Sequence, residues 1–262
     1  MVERKRLRKP LIVALSVLVI GMALVTYLAN PEMGMALLIN VSPARFKYVY
    51  FYKLANWGQE IYILGTIHGR HLKTGDYSLQ QIRAVVKNLR PDLLLVESRQ
   101  EELKRDNLGD GPVEMLFANL EARSLGIEVG GMDWWTKKGM KPGRTNKARD
   151  DKMVENILQS VPGHKKVLVL TGASHVLEFV PRLKKAGYSS APFGKGDKDR
   201  LFATSSTGLS FPRGMGHYLE KTISIYQEEL SREQNPEWKR AYENVIRDRQ
   251  LILKVVEMSE ER

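Results

Sequence analysis

The chain of 262 residues contains no cysteine. This absence excludes catalysis by a thiolate, zinc sites built from cysteine and a scaffold held by disulfides. Acidic residues are fewer than basic ones, 30 against 41, which gives a formal net charge of +11. The composition, 43% apolar, excludes an intrinsically disordered chain and fits one globular domain or two small ones. Metal binding or acid–base chemistry would therefore come from histidines and carboxylates.

The amino-terminal residues are basic and precede a long uncharged run. Residues 1–9 hold five basic side chains against Glu3, and residues 11–29 carry no charge. About 20 apolar residues suffice to span a membrane, and the positive-inside rule places the basic end in the cytoplasm. We predict a cytoplasmic stub over 1–9, a transmembrane signal anchor over 10–29 and an extracytoplasmic main domain, with a cleaved signal peptide as the alternative. The bilayer is then a partner through 10–29, and nucleic acid is not.

Beyond a predicted linker over 30–45, short apolar runs alternate with helical patterns. Strands are predicted at 46–54, 61–64, 93–96, 127–132 and 166–170, and helices at 79–89, 112–126, 147–160 and 176–186. This alternation predicts an α/β fold with a mainly parallel or mixed sheet flanked by helices. The α/β domain is predicted over 46–214, with a loop and one weak strand in 189–214. Two helices in 215–262, starting at 218 and 237, are predicted to pack on it or to serve as a lid or dimer contact.

Polar residues with metal-binding or acid–base chemistry follow four of the predicted strands. They are His68, Glu97, Asp133 and His175. Ligands of open α/β sheets bind outside the carboxyl ends of the strands, so these four side chains are candidates for one shared site. His68 and His175 each close a Gly-x-x-His sequence, Gly65–His68 and Gly172–His175, directly after an apolar run. A third such sequence, Gly214–His217, has no strand before it and is treated as coincidence.

The candidate residues have alternative roles. Glu97 is either a third metal ligand or the base that activates water, and Asp133 is either a ligand or a cap for the following turn. Arg149 is expected to hold a substrate carboxylate or to stabilise negative charge at the reacting centre, with an ordinary surface charge as the alternative. His71 is expected to be a solvated loop residue rather than an extension of the site.

These motifs together resemble a known family. Leu64-Gly65-Thr66-Ile67-His68, Glu97 at the end of an apolar strand, Arg149-Asp150-Asp151-Lys152-Met153 at a helix start and Gly172-Ala173-Ser174-His175 match, in order and spacing over residues 45–190, the TraB/GumN/Tiki family. The resemblance implies the fold of the Tiki-like superfamily, which also includes erythromycin-esterase-like and haem-binding ChaN-like proteins. It implies a membrane-tethered metallopeptidase that uses manganese or cobalt.

The sequence and the resemblance together give one favoured function and two alternatives. The favoured function is metal-assisted hydrolysis of a peptide or a small amide or ester. The metal ligands are His68, His175 and Glu97 or Asp133, and the catalytic residues are Glu97, Arg149, His68 and His175. One alternative is a binding protein of the same fold that holds haem or a peptide without turnover. The other is a metal-independent esterase with His68 as the base and Glu97 orienting it. Oligomeric state stays open.

Overall fold

The computed structural model describes residues 43–135, 147–205 and 208–260, together with Gly21. The chain divides into two compact units, Met1–Phe46 and Lys47–Arg262. The second unit contains the sheet and all the candidate site residues. No helix of the described residues is long and apolar enough to cross a membrane. The predicted stub over 1–9, the predicted anchor over 10–29 apart from Gly21, and the predicted linker as far as residue 42 lie outside the described residues.

The described part of the second unit contains a mixed sheet of six strands. The strands are β1 (Phe51–Asn56), β2 (Gln59–Thr66), β3 (Leu93–Arg99), β4 (Glu128–Asp133), β5 (Lys166–Gly172) and β6 (Ser189–Ser190). Their order across the sheet is β4-β3-β5-β2-β1-β6. Strands β4, β3, β5 and β2 are parallel, whereas β1 is antiparallel to both β2 and β6. The predicted α/β class with a mixed sheet is confirmed.

Helices connect and flank these strands. They are α1 (Pro43–Val49), a 3-10 helix (His68–Leu72), α2 (Leu79–Leu89), α3 (Gln100–Lys104), α4 (Val113–Ser124), α5 (Lys147–Ser160), α6 (Ala173–Lys185), α7 (Lys195–Phe202), α8 (Met215–Arg232) and α9 (Pro236–Glu260). Two local predictions are wrong. Residues 46–49 belong to α1 and not to a strand, and the segment 189–214, predicted as loop with one weak strand, contains helix α7 beside the short β6.

The core lies at the centre of the sheet and under helix α2. Leu94, Leu95 and Val96 of β3 are fully buried, as are Val167 to Leu170 of β5, because helices cover both faces of parallel strands. Helix α2 begins with a capping box. The Ser78 hydroxyl accepts from Gln80 N at 3.2 Å, and Ser78 N donates to Gln81 Oε1 at 2.7 Å.

The carboxyl-terminal helices α8 and α9 pack against each other and against the segment that follows β3. Thr222 Oγ1 donates to Asn107 Oδ1 at 3.1 Å, and Lys221 Nζ lies 2.8 Å from Asp106 Oδ2. The buried Arg249 of α9 donates from Nη2 to the carbonyl oxygen of Gly111. These contacts fix the helical pair to the end of the sheet where β3 terminates.

Candidate active site

The carboxyl ends of the parallel strands bring distant parts of the sequence to one edge of the sheet. In the register of β2 and β5, Gly65 lies opposite Thr171 and Thr66 opposite Gly172. Val96, the residue before Glu97, lies opposite Leu170 of β5 and Gly131 of β4. The segments that follow β2, β4 and β5 therefore surround Glu97.

Glu97 is at the centre of the cluster and is buried. Its Oε2 accepts from Gly172 N at 2.7 Å and from Thr171 Oγ1 at 2.9 Å. Its Oε1 lies 3.1 Å from Arg149 Nη2 and 3.4 Å from His175 Nε2. Burial opposes ionisation of this carboxyl, but the positive charges of His175, Arg149 and His68 hold the pKa of Glu97 well below its usual range. Glu97 is therefore an anion at neutral pH.

His175 lies between two buried carboxylates. Its Nδ1 is 2.5 Å from Asp150 Oδ1, and its opposite nitrogen, Nε2, is directed at Glu97. Burial alone would favour the neutral ring, but the charge of Glu97 and the hydrogen bond to Asp150 raise the pKa of His175 to about 10. Without a bound cation the ring is protonated at neutral pH.

His68 has the same kind of partner on the other side of the site. Its Nδ1 lies 3.0 Å from Oε1 of the fully buried Glu114, and that oxygen also accepts from Thr66 Oγ1 at 2.7 Å. Desolvation lowers the pKa of His68, but the hydrogen bond and charge of Glu114 raise it more, to about 9. The side chain of His68 is 52% exposed, whereas those of Glu97 and His175 are 6% and 5% exposed. His68 is therefore more accessible to solvent than Glu97 and His175.

His68 and His175 are thus held by the same kind of contact. Each ring has Nδ1 on a buried carboxylate and Nε2 on the side of Glu97, where Nε2 of His175 already lies 3.4 Å from Oε1. Gly172 allows this approach, because a methyl group in its place would lie 2.9 Å from His68 Nε2 and 3.5 Å from Glu97 Oε2. His68 and Glu97 therefore border the same small space.

Arg149 joins two of the carboxylates. Its Nε donates to Asp133 Oδ1 at 2.8 Å and its Nη2 to Asp133 Oδ2 at 3.0 Å, a bidentate pair, while Nη2 also donates to Glu97. Burial raises the pKa of Asp133, although Arg149 opposes that rise, and the two carboxylates raise the pKa of Arg149 above its usual range. The guanidinium therefore forms ion pairs with both Asp133 and Glu97.

His71 is not a solvated loop residue, as the sequence led us to expect, but is buried beneath the loop that carries His68. Its Nε2 accepts from Ile67 N at 2.9 Å and its Nδ1 donates to Tyr77 O at 2.8 Å. Burial lowers the pKa of His71 to about 4, so the ring is neutral and can accept at Nε2. Tyr77 in turn donates from its hydroxyl to Gly65 O at 2.7 Å. His71 and Tyr77 thus fix both ends of the segment before His68.

The structure brings together every residue that the sequence proposed for the site. They are His68, Glu97, Asp133, Arg149 and His175. Sequence reasoning missed Glu114 and Asp150, the carboxylates that hold the two histidines. Asp150 adjoins Arg149 in the motif already noted, which is a usable signal. Glu114 lies in the first turn of α4 and has no sequence signal, because only the folded chain brings it beneath the segment after β2.

The donor atoms of this cluster have the chemistry of a divalent metal site, with one exception. Imidazole nitrogens whose opposite nitrogen donates to a carboxylate, together with a further carboxylate, form a common ligand set. His68, His175 and Glu97 fit that description, whereas both oxygens of Asp133 accept from Arg149. Among the described residues, no group of three or more such side chains stands close enough to form a ready metal site. Binding would therefore require these side chains to move.

Comparisons of the chain with protein-family models, with curated proteins and with solved structures gave no match. The resemblance to the TraB/GumN/Tiki family therefore stays a prediction from the motifs.

Proposed function

We propose that this chain is a hydrolase that cleaves an amide or ester bond with the help of a divalent metal ion held by Nε2 of His68, Nε2 of His175 and the carboxylate of Glu97. One observation carries the proposal. Each histidine ring has Nδ1 on a buried carboxylate and Nε2 on the side of Glu97, so both rings present the nitrogen opposite their carboxylate partner to the same region.

The carboxylates around the two rings favour a cation at this place. Glu114 and Asp150, with side chains 0% and 6% exposed, each lie at hydrogen-bond distance from Nδ1 of a histidine, and Glu97 lies close to Nε2 of His175. In the absence of a metal, the raised pKa of each ring places a proton on it at neutral pH. A divalent ion that displaces both protons leaves the total charge unchanged, which is the usual linkage between metal binding and deprotonation of ligands.

The residues of the chain have separable roles in this proposal. A bound ion would supply Lewis acidity and a water molecule of lowered pKa. Glu114 and Asp150 accept from Nδ1 of the two histidines and thereby fix the ring orientation and increase the basicity of the opposite nitrogen. Thr171 and Gly172 N hold one oxygen of Glu97 in place, and Arg149 holds the other.

The exposure of the site side chains indicates the side from which a substrate would approach. His68 is the exposed member of the cluster, so a peptide or a small amide or ester approaches from its side. Trp134, 41% exposed, offers an apolar surface directly after Asp133.

A second candidate is a metal-independent hydrolase, and the saturation of Glu97 favours it. Both oxygens of Glu97 already have protein donors, and His68 is exposed with a pKa of about 9. In this mechanism a water molecule adds to the carbonyl carbon and gives a proton to solvent, the bond to the leaving group breaks, and the protonated His68 donates a proton from Nε2 to that group. Glu114, and not Glu97 as the sequence led us to expect, holds Nδ1 of His68, and the raised pKa of this ring makes it an acid rather than the expected base. His175 and Arg149 keep Glu97 ionised and in place.

The test is metal analysis of the purified full chain beside hydrolysis of a panel of ester and amide substrates. The matched control is His164→Ala, because His164 contacts Ser160 O and Glu128 outside the site. We expect about one manganese or cobalt ion per chain in wild type and control, and loss of ion and activity in His68→Ala and His175→Ala. Activity that persists in the metal-free chain and disappears in His68→Ala establishes the second candidate instead. Haem uptake without hydrolysis contradicts both.

We also propose that the catalytic unit is tethered outside the cytoplasm by residues 10–29. The uncharged run behind a basic stub supports this placement. A reporter fused after residue 262 should be active only when it is exported, and residues 1–9 should stay inaccessible to external protease. A reporter that is active only in the cytoplasm contradicts the placement.

A further inference from the structure

The hairpin between β1 and β2 turns on an unusual pair of residues. Asn56 pairs with Gln59, which leaves Trp57 and Gly58 as a two-residue loop with φ of 45° and 84°. Two positive φ values in a two-residue loop are the pattern of a type I′ turn, whose first position favours Asn, Asp or Gly. A bulky residue with positive φ is an outlier because its Cβ is crowded by the backbone. Tryptophan is thus a poor choice for the turn itself.

Trp57 also gains nothing from packing. Its side chain is 96% exposed, the highest value among the exposed large hydrophobic residues of the described chain. Folding therefore neither buries the indole nor satisfies its local backbone preference. A residue that has an unfavourable backbone conformation and no compensating burial within the fold indicates a functional position.

Lysines lie around this turn on the neighbouring segments. Glu60 N donates to Lys165 O at 2.8 Å, so Lys165 lies directly beside the start of β2. The segment after Lys184 and Lys185 reaches the same place, because Tyr188 donates from its hydroxyl to Gln59 Oε1 at 3.2 Å. All three lysines are exposed. We refer to Trp57, Lys165, Lys184 and Lys185 as the hairpin-tip surface.

Two carboxylates on this end of the sheet have partners of their own. Glu60 pairs with Lys53 at 2.5 Å and accepts from Tyr62, and Asp92 accepts from the backbone nitrogens of Lys165 and Lys166. Backbone hydrogen bonds leave the charge of Asp92 in place, so Asp92 offsets one lysine, whereas Glu60 is paired with Lys53. The three exposed lysines therefore still leave an excess of positive charge on the hairpin-tip surface, beside one exposed indole. This surface lies at the amino ends of β2 and β5, opposite the edge that carries Glu97.

We propose that the hairpin-tip surface docks on a bilayer that contains anionic phospholipid. An indole has an apolar body and a polar N–H, which suits the interface between headgroups and acyl chains. Lysines near an anionic leaflet strengthen attachment, each by about fivefold. Docking at the amino ends of the strands directs the candidate active site away from the lipid and towards substrates in water.

Fluorescence quenching in vesicles tests this proposal on the full chain. None of residues 1–42 is tryptophan, so the emission of the four tryptophans reports on the rest of the chain alone. The chain is mixed with vesicles of phosphatidylglycerol and phosphatidylcholine that carry dibrominated acyl chains. The test variant is Trp57→Asn, which suits the turn and should fold at least as stably as wild type. Trp134→Phe is the control.

We expect bromolipid to quench one tryptophan's share of the emission in wild type and Trp134→Phe, but not in Trp57→Asn. Joint replacement of Lys165, Lys184 and Lys185 by Gln should reduce the quenching, whereas Lys87→Gln, an exposed lysine elsewhere, should not. Equal quenching of wild type and Trp57→Asn overturns the proposal. Equal quenching in vesicles of phosphatidylcholine alone also overturns it, because charge would then play no part. Absence of quenching in wild type overturns it as well and directs attention to a protein partner for Trp57.

Discussion

Replacement of Glu114 by Gln is the sharpest perturbation of the histidine that faces solvent. Gln keeps the shape of the side chain and can still accept from His68 Nδ1 and Thr66 Oγ1, but it removes the negative charge. The two largest contributions that raise the pKa of His68 are the hydrogen bond and the charge of Glu114, and both oppose desolvation. Without that charge, we expect the pKa of His68 to fall from about 9 to its ordinary value of 6.5 or below.

This fall in pKa greatly changes the protonated fraction of His68 at physiological pH. At pH 7.5 a ring with a pKa of about 9 is about 97% protonated, whereas a ring with a pKa of 6.5 is about 10% protonated. Glu114→Gln should therefore convert His68 from an almost fully charged group to a mostly neutral one in the metal-free chain. If a protonated His68 is the acid of a metal-independent hydrolase, activity at pH 7.5 should fall roughly tenfold with this change.

The assay is a histidine ring titration by nitrogen-detected NMR on chelator-treated protein. The chain has five histidines, and the spectrum of His68→Ala assigns the signal. Glu121→Gln is the matched control, since Glu121 lies on the same helix but bonds Arg83 Nε at 2.6 Å. A His68 pKa that stays near 9 in Glu114→Gln, or that falls equally in Glu121→Gln, refutes the role of Glu114.

Three further predictions concern stability. Arg149→Met should lower the free energy of unfolding by about 3–5 kcal/mol, because it removes the bidentate cation of the buried Asp133 and one of the cations beside Glu97. Lys152→Met on the same helix should change the free energy of unfolding by less than about 1 kcal/mol. Equal effects of these two changes in urea unfolding would contradict the structure. Gly65→Ala should cost about 1–3 kcal/mol, since the added methyl would lie 2.7 Å from Tyr50 Cβ, and an unchanged midpoint of thermal unfolding would contradict it. Because the pKa of His175 is raised from 6.5 to about 10, its protonation stabilises the metal-free fold fully below pH 6.5, and this stabilisation is lost as the pH rises towards about 10. The free energy of unfolding of wild type should therefore fall over that pH range, and that of His175→Gln should fall less.

Local patterns were sufficient to predict the central elements of the fold. The apolar runs of β3 and β5 are the pattern of strands that helices cover on both faces, and Ser78 with Gln81 is a local signal for the start of α2. The helix over 46–49 was missed because its aromatic and β-branched residues fit a strand equally well. Lys47 and Tyr48 find their partners in Asp76 and Asp199, far along the chain.

Helix α7 has a weak local pattern and is anchored by long-range contacts. Its sequence contains Gly196 and several charged residues, which favour a loop. Phe202 at its end is buried, with ring centroids 5.4 Å from Phe51 and 5.9 Å from Tyr77. The sequence of residues 189–214 alone does not predict these aromatic contacts, because Phe51 and Tyr77 lie outside it.

The sequence predicted those site residues that lie at the ends of recognisable strands. Parallel strands bring their carboxyl ends together, so His68, Glu97, Asp133 and His175 were expected at one place. The sequence did not reveal that Arg149 holds two carboxylates, or that Glu114 and Asp150 hold the histidines. Those partners depend on how α4 and α5 pack on the sheet.

The most direct test of the proposed metal-dependent hydrolase is the number of protons released when manganese binds to the metal-free full chain. Calorimetric titration at pH 7.5 in buffers of different ionisation enthalpy gives that number. Because both histidines are protonated in the metal-free cluster, we predict saturable binding with release of about two protons per ion, lost when His68 and His175 are both replaced by Ala. No saturable binding, or binding without proton release that persists in the double variant, contradicts a metal site at His68, His175 and Glu97.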